Sequence, residues 1–356
     1  MSKKIIQVTD LDVEGIYSRI QKGEILPRHS SLWGYDSLLD EGIDVIVVRL
    51  RKTESLFYNY IIRPLFAKLG IINIPLAIDT IKALKKNPDV KLIYSHYITL
   101  TSALSFLRKL GIIKVPVIGL AHDAFLEYTD INAWKRHDMV ISLCESTLSL
   151  ARLKTNVPSC CLHYVDWGAD IRCINQYKPA KPPTRDFFLA TGVSNRDYDL
   201  LVRAFRDIPK QKLIIVSSLY RNDNLPPNVS LINNVGSDSY YDMLPLYYNA
   251  TASIIPLRQN LSWCCGASII FQSIAMGCPL IVSECQANVI DAEKEGVGLN
   301  VRIGSKQDII DSVIKMSTDN ELWEKCSKNG IALSLTRYNY DIFCCQLIGY
   351  VKTFIE

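Results

Sequence analysis

The stretch Gly266 to Ser283, GASIIFQSIAMGCPLIVS, decides the fold. Its opening Gly-Ala-Ser predicts a small-residue turn leading into an apolar helix. That helix meets a sharp stop at Gly277-Cys278-Pro279, because proline cannot continue it and restricts the residue before it. Leu280-Ile281-Val282 then reads as a buried strand. A first turn of small residues leaves its backbone N–H groups approachable, and they carry the positive end of the helix dipole. Such an end suits a diphosphate. Helix, stop and strand together predict half of a nucleotide-binding α/β unit.

The same alternation extends in both directions. Before residue 176, apolar strands are expected at 5–8, 44–50, 91–95, 115–120, 138–143 and 160–165. Helical patterns at 35–40, 76–86, 100–110 and 147–153 separate them. Continuous apolar strands of this kind imply parallel sheets covered on both faces. YKPAKPPT, residues 177–184, has three prolines and no apolar pattern, so it reads as a linker. The alternation then restarts, with strands at 186–190, 213–217, 229–232, 251–256 and 298–303. A length of 356 residues favours two domains. The expected division is 1–176, a linker at 177–184, a second domain at 185–338, and a final helix at 339–356. Tyr340, Phe343 and Leu347 lie along one face of that helix, which predicts packing back on the first domain.

Bulk properties narrow the function. A net charge of +4 argues against a dedicated nucleic-acid binder and is compatible with anionic small molecules. The 11 cysteines include the adjacent pairs 160–161, 264–265 and 344–345, but no C-x-x-C spacing. They read as reduced thiols acting as small apolar residues. The first residues, MSKKIIQVTD, lack the apolar core of a signal peptide, and no run approaches the roughly 18 apolar residues of a membrane span. A cytoplasmic location is expected, with the inner face of a membrane as a further site. Signatures for dinucleotide-binding, P-loop, zincin and α/β-hydrolase chemistry are missing.

Several stretches in register then resemble one family. They are Val165-Asp166-Trp167-Gly168-Ala169-Asp170, Gly192 with Asn195 to Leu201, Val235-Gly236 through Pro256-Leu257, Gln272 to Ile281, and Glu295 to Leu299. Together they resemble the donor domain of GT-B glycosyltransferases, of the retaining family four type (glycosyl transferases group 1). The first half matches through Tyr94-Ser95-His96 and Ala121-His122-Asp123. The resemblance implies an α/β fold of two Rossmann-like domains facing a central cleft. The N-terminal domain would bind an acceptor and the C-terminal domain a nucleotide sugar, UDP- or GDP-linked. It further implies a hexosyltransferase acting with retention and without a metal, on a saccharide or lipid-linked saccharide.

Site residues follow by position. Gly266, Ala267 and Ser268 would hold the diphosphate through the helix end, and Gly192 would allow close approach of the donor. The Arg196 guanidinium could grip phosphate oxygens; the alternative is a solvated arginine paired with Asp197 or Asp199. Gln272 stands where the family has a ribose-binding glutamate, and Cys264 where it has another near the transferred sugar. His122 and Asp123 follow the 115–120 strand, so a ligand-facing position is expected. There the resemblance gives the histidine a place against the sugar, and Asp123 is the candidate base if the reaction inverts. Trp33 and Gly34 are candidates for the acceptor side, or for a packing cluster at a helix entry. His96, His29, His137 and His163 are expected to be structural or to lack a catalytic role. Residues 56–86 are apolar and basic, a pattern that fits either a peripheral membrane contact or a buried helix with basic edges. An inactive GT-B binding protein, which Cys264 and Gln272 would suit, and a sugar-nucleotide epimerase are the rival functions.

Overall fold

The computed structural model describes residues 3–25, 27–51, 60–61, 63–67, 69–121, 131–177, 179–233 and 240–356. It has two compact units, Met1–Asp166 with Asp341–Glu356, and Trp167–Tyr340. The division falls after Asp166, ahead of the proline-rich stretch. That stretch is tied into the second unit: the Tyr248 hydroxyl donates to the Lys181 carbonyl at 3.1 Å, and the Thr184 N–H to Asn249 Oδ1 at 3.2 Å.

In the first unit the chain runs β1 (Lys4–Thr9), α1 (Val13–Gln21), α2 (Tyr35–Asp40), β2 (Asp44–Arg49), α3 (Arg63–Ala67), α4 (Ile74–Lys86) and β3 (Val90–Ser95). It continues through α5 (Ser102–Lys109), β4 (Val117–Ala121), α6 (Ile131–Arg136), β5 (Met139–Ser142), α7 (Glu145–Thr155) and β6 (Leu162–Tyr164). The strands form one parallel sheet in the order β2-β1-β3-β4-β5-β6. All five residues of β4 are buried, as expected for a strand covered on both faces. The helix α4 starts at Asn73 in a left-handed conformation with Pro75 in its first turn, and it buries Leu76, Ala77 and Thr80. Sequence patterning does not reveal α1, because only Val13 of its nine residues is buried. A helix that contributes so little to the core leaves no periodic apolar stripe to read.

His137 illustrates a structural histidine. It is fully enclosed, with Nδ1–H donating to the Ala133 carbonyl at 2.6 Å and Nε2 accepting from the Thr101 hydroxyl at 2.8 Å. Burial holds its pKa down at about 4. The folded value lies below the unfolded one, so stabilisation is present above about pH 6.5 and disappears as pH falls towards 4. The expected loss across that window is on the order of 3 kcal/mol. Urea melts of wild type and His137→Gln between pH 7 and pH 4 check this: the variant's curve should be flatter with pH.

The second unit contains α8 (Ile171–Ile174), β7 (Phe187–Thr191), α9 (Tyr198–Asp207), β8 (Leu213–Val216), β9 (Val229–Ile232) and α10 (Tyr240–Asn249). Then come β10 (Ala250–Ile255), α11 (Ala267–Ala275), β11 (Leu280–Ser283), β12 (Gly298–Val301), α12 (Lys306–Thr318) and α13 (Asn320–Thr336). A second parallel sheet has the order β12-β11-β10-β7-β8-β9. Side-chain caps fix the starts of four helices among the described residues, with Asp170 accepting from the Cys173 N–H at 3.1 Å at the start of α8. Asp197 accepts from the Leu200 N–H, Ser305 from Asp308 and Asp319 from Leu322, each at about one hydrogen-bond length. The amphipathic α9 buries Leu200, Leu201, Ala204 and Phe205 against the sheet.

The last helix, α14 (Tyr340–Ile355), belongs to the first unit beyond its first residue. Phe343, Leu347 and Val351 are fully buried. Phe343 meets Trp33 edge-on at 6.4 Å, and Lys352 pairs with Glu41 at 2.7 Å. The predicted single apolar face is therefore the packed one. None of the 11 cysteines forms a disulfide.

Candidate functional site

Strand order places the site. In the second sheet, β7 and β10 are neighbours, and the chain leaves them towards opposite edges. A parallel sheet opens a crevice at the carboxyl ends of such a pair. Here those ends are Thr191-Gly192 and Ile255-Pro256. The segment after β7 is stitched to the segment after β10: the Asp197 N–H donates to the Pro256 carbonyl at 2.9 Å, and Arg196 bridges Leu257.

Arg196 occupies this crevice and is only 6% exposed. Its Nε donates to the Thr191 carbonyl at 3.1 Å and its Nη1 to the Ser194 carbonyl at 2.7 Å. Nη2 has no hydrogen-bond partner among the described residues, and no carboxylate there pairs with the guanidinium. The solvated alternative is overturned. Asp197 caps α9, and Asp199 accepts from the Tyr220 hydroxyl at 2.8 Å and lies 4.0 Å from Arg258. Burial lowers the Arg196 pKa, yet an arginine stays charged in a protein. A buried cation with an open N–H and no counter-ion among the described residues costs about several kcal/mol, a cost that an anion placed there would offset.

That open nitrogen faces the start of α11. A Cβ built on Gly266 would stand 2.7 Å from Arg196 Nη2 and 3.4 Å from Ile255 Cγ2. Gly266 also has φ +90°, a conformation that side chains rarely adopt. No side chain caps the first turn of α11, so its leading N–H groups remain for a ligand. Ala267 is half-buried and Ser268 exposed at this end. A Cβ on Gly192 would lie 3.2 Å from the same Nη2. Four of the predicted donor residues, Gly192, Arg196, Gly266 and Ala267, thus converge on one point, with Ser268 beside them. Gln272 lies one turn further along α11, half-buried, and its amide has no hydrogen bond among the described residues.

The residues that sequence reasoning missed form the wall. A cavity of about 280 Å³ is lined by Arg196 with Val193, Asn195, Tyr198, Ser217, Tyr220 and Arg258, among others. The Tyr198 hydroxyl donates to the Gly192 carbonyl at 2.6 Å, and its ring lies 5.1 Å from that of Tyr220. Asn195 fixes the loop after β10, donating to the Gln259 carbonyl at 2.9 Å and accepting from the Gln259 N–H at 3.1 Å. Arg258 is a second cation on the same cavity. Its position two residues past Pro256 was the one sequence signal available. A larger depression of about 480 Å³, past β11, holds Asn260, Glu284, Asn288, Asp291 and Asn300 and no cation. It therefore repels an anion that the Arg196 cavity attracts.

In the first unit the chain reverses its winding between β1 and β3. Asp10 and His96 follow those strands, with His96 Nε2 3.1 Å from Asp10 Oδ1. Trp33, at φ 51°, stacks on His96 with ring centroids 5.4 Å apart. Gly34 begins α2 and sits against Leu347 of α14. Trp33 and Gly34 are therefore at a strand-end position and within a packing cluster at once. His122 and Asp123 lie outside the described residues. Among the described residues, no three His, Cys, Asp or Glu side chains are grouped to hold a metal ion. No described helix is long and apolar enough to cross a membrane.

No family model and no curated protein sequence matches the chain. Solved structures do. A glycosyltransferase from Rickettsia africae matches with a TM-score of 0.66 and 12% identity, over 100% of this chain and 99% of that one. HepE from Anabaena, in complex with UDP, matches at 0.65 and 13%, over 98% and 100%. Sucrose-phosphate synthase from Thermosynechococcus elongatus matches at 0.69 and 14%, over 98% of each chain. Two parallel six-stranded sheets, and a likeness that runs the length of both partners, give this chain the GT-B fold.

Proposed function

We propose that the protein transfers a sugar from a nucleoside-diphosphate sugar to a saccharide or lipid-linked saccharide. The observation that carries this reading is Arg196, a buried guanidinium with an open N–H aimed at an uncapped helix start. As the glycosidic bond to phosphate breaks, negative charge grows on the leaving diphosphate. Arg196 and the leading N–H groups of α11 (Ala267, Ser268) are fixed donors for that charge, and prearranged donors need no reorganisation during reaction. This reading assigns charge compensation to the protein rather than to a metal. UDP is the preferred carrier, because HepE is known in complexes with UDP and with UDP-glucose. Retention, a hexose as the group transferred, and the sugar-facing roles of His122 and Asp123 follow from the family-four resemblance. So does the placing of Trp33 and Gly34 on the acceptor side.

A thermal-shift panel of UDP, GDP, ADP and their sugars tests the reading. A ligand at about 100 times its Kd should stabilise the folded state by about 2.7 kcal/mol. We expect a nucleotide sugar and its free diphosphate to raise the melting point, and release of the diphosphate to follow when acceptor is added. A flat response across the panel would remove the proposal. Cys264 and the unbonded amide of Gln272 keep a second reading open, a binding protein without turnover. Stabilisation by UDP-sugar with no diphosphate released under any acceptor would favour it.

A further inference from the structure

Residues 55–78 and 90–122 contain six lysines and arginines and no aspartate or glutamate, against a net charge of +4 for the whole chain. The same stretches hold half of the exposed large apolar side chains among the described residues. Tyr60, Ile61, Leu65 and Leu69 are 55–77% exposed around α3, and Leu110 and Ile112 are 57% and 64% exposed in the turn after α5. None of the five residues of α3 is buried.

The two groups flank one core cluster. Phe66 and Ile71 turn inward and pack with Leu104, Phe106 and Ile113, while their neighbours Leu65, Leu69 and Ile112 turn outward. Arg136 joins the two sides: its Nη2 donates to the Leu69 carbonyl at 3.1 Å, and its guanidinium lies 5.1 Å over the Phe106 ring. Arg63, Lys109, Lys114 and Lys135 are exposed and form no ion pair among the described residues. Aliphatic side chains set among unpaired cations are poorly matched to water. They match the boundary of an anionic bilayer, where apolar groups enter the acyl region and cations meet the headgroups. A protein partner would need a counterpart rich in carboxylates and shaped to an irregular face. A lipid surface satisfies the same charge and apolar pattern with no shape requirement.

We propose that this face of the first unit docks on a bilayer containing anionic lipid, with Leu65 and Leu69 on one side and Leu110 and Ile112 on the other as its apolar contacts. The proposal does not depend on sugar transfer, since docking can hold in a protein that binds no nucleotide. It extends beyond residues 56–86 to the turn after α5, which lies outside that stretch.

Sedimentation with sucrose-loaded vesicles tests it, using the full chain and two vesicle types, phosphatidylcholine alone and phosphatidylcholine with phosphatidylglycerol. We expect pelleting with the anionic vesicles at low salt, and a loss of about tenfold in partitioning at high salt as screening shortens the reach of the cations. Leu110→Asp with Ile112→Asp, and separately Lys109→Glu with Lys114→Glu, should each lower partitioning by about tenfold or more. Both pairs are exposed, so unchanged melting points confirm folding. Equal pelleting with neutral and anionic vesicles, no pelleting with either, or variants that bind like the parent would overturn the proposal. So would a dimer in sedimentation velocity that Ile112→Asp dissociates while vesicle binding is missing, because the face would then be covered by a second copy.

Discussion

Replacing Arg196 with methionine will weaken UDP binding by at least about 100-fold while leaving the unliganded protein as stable as wild type, or more so. Two charge-assisted hydrogen bonds to phosphate are worth about 1.5–3 kcal/mol each. The second half of the expectation comes from burial. Arg196 is 94% enclosed by the complement of its 6% exposure, and no described carboxylate offsets its charge. Exchanging an uncompensated buried cation for an apolar chain of similar length removes a desolvation cost. Opposing it, the carbonyls of Thr191 and Ser194 lose their donors. Isothermal titration with UDP and a melting curve without ligand read the two effects separately. Arg196→Lys should fall between, because lysine keeps the charge and loses the fork. A methionine variant that binds UDP like wild type would detach Arg196 from the site. One that melts far lower without ligand would show a structural arginine.

Gly168→Ala will be the most damaging single methyl in the second unit. A Cβ at Gly168 would stand 1.9 Å from the Tyr338 carbonyl carbon and 2.1 Å from the Asn339 nitrogen. Both are backbone atoms, so no side chain can swing aside. They are also held in place, as the Ala169 N–H donates to the Tyr338 carbonyl and the Tyr340 N–H to the Ala169 carbonyl, each at 2.9 Å. Gly168 therefore fastens the chain's entry into the second unit to its exit. Forcing these two segments apart should cost about 3–5 kcal/mol, the upper range for a single substitution. Chemical denaturation followed by tryptophan fluorescence checks it. Gly349→Ala is the contrast: nothing lies within 4 Å of the added methyl, on a helix where alanine is favoured by about 0.5–1 kcal/mol. Equal stability of the two variants would contradict the contact geometry.

Much of the fold was legible because its strands are buried on both faces. Runs such as Val117–Ala121 and Leu280–Ser283 are buried throughout, and their shortness, β-branched content and flanking Gly or Pro separate them from buried helices. Among the elements that escaped, α1 buries only Val13 and α3 leaves none of its residues buried, so the core marks their sequence little, while α6 and α8, at six and four residues, are too short to show a helical period. At the site, the glycines and Arg196 were legible by their order along the chain. The burial of Arg196 was not, since Asp197 and Asp199 stand next to it in sequence and only the structure shows them engaged with Leu200, Tyr220 and Arg258. Tyr220 and Ser217 escaped for a similar reason. They reach the cavity from the neighbouring strand β8, and strand adjacency is a property of the sheet order rather than of any local spacing.

The return of α14 to the first unit has a consequence for how the protein is made. Phe343 and Leu347 cover Trp33 and Gly34, yet every residue from Trp167 to Tyr340 is synthesised between these partners. The early half of the nascent chain must therefore wait, with an apolar seam open to water, until the final helix leaves the ribosome. A premature stop or proteolytic clip near residue 340 would injure the oldest part of the molecule and spare the newest.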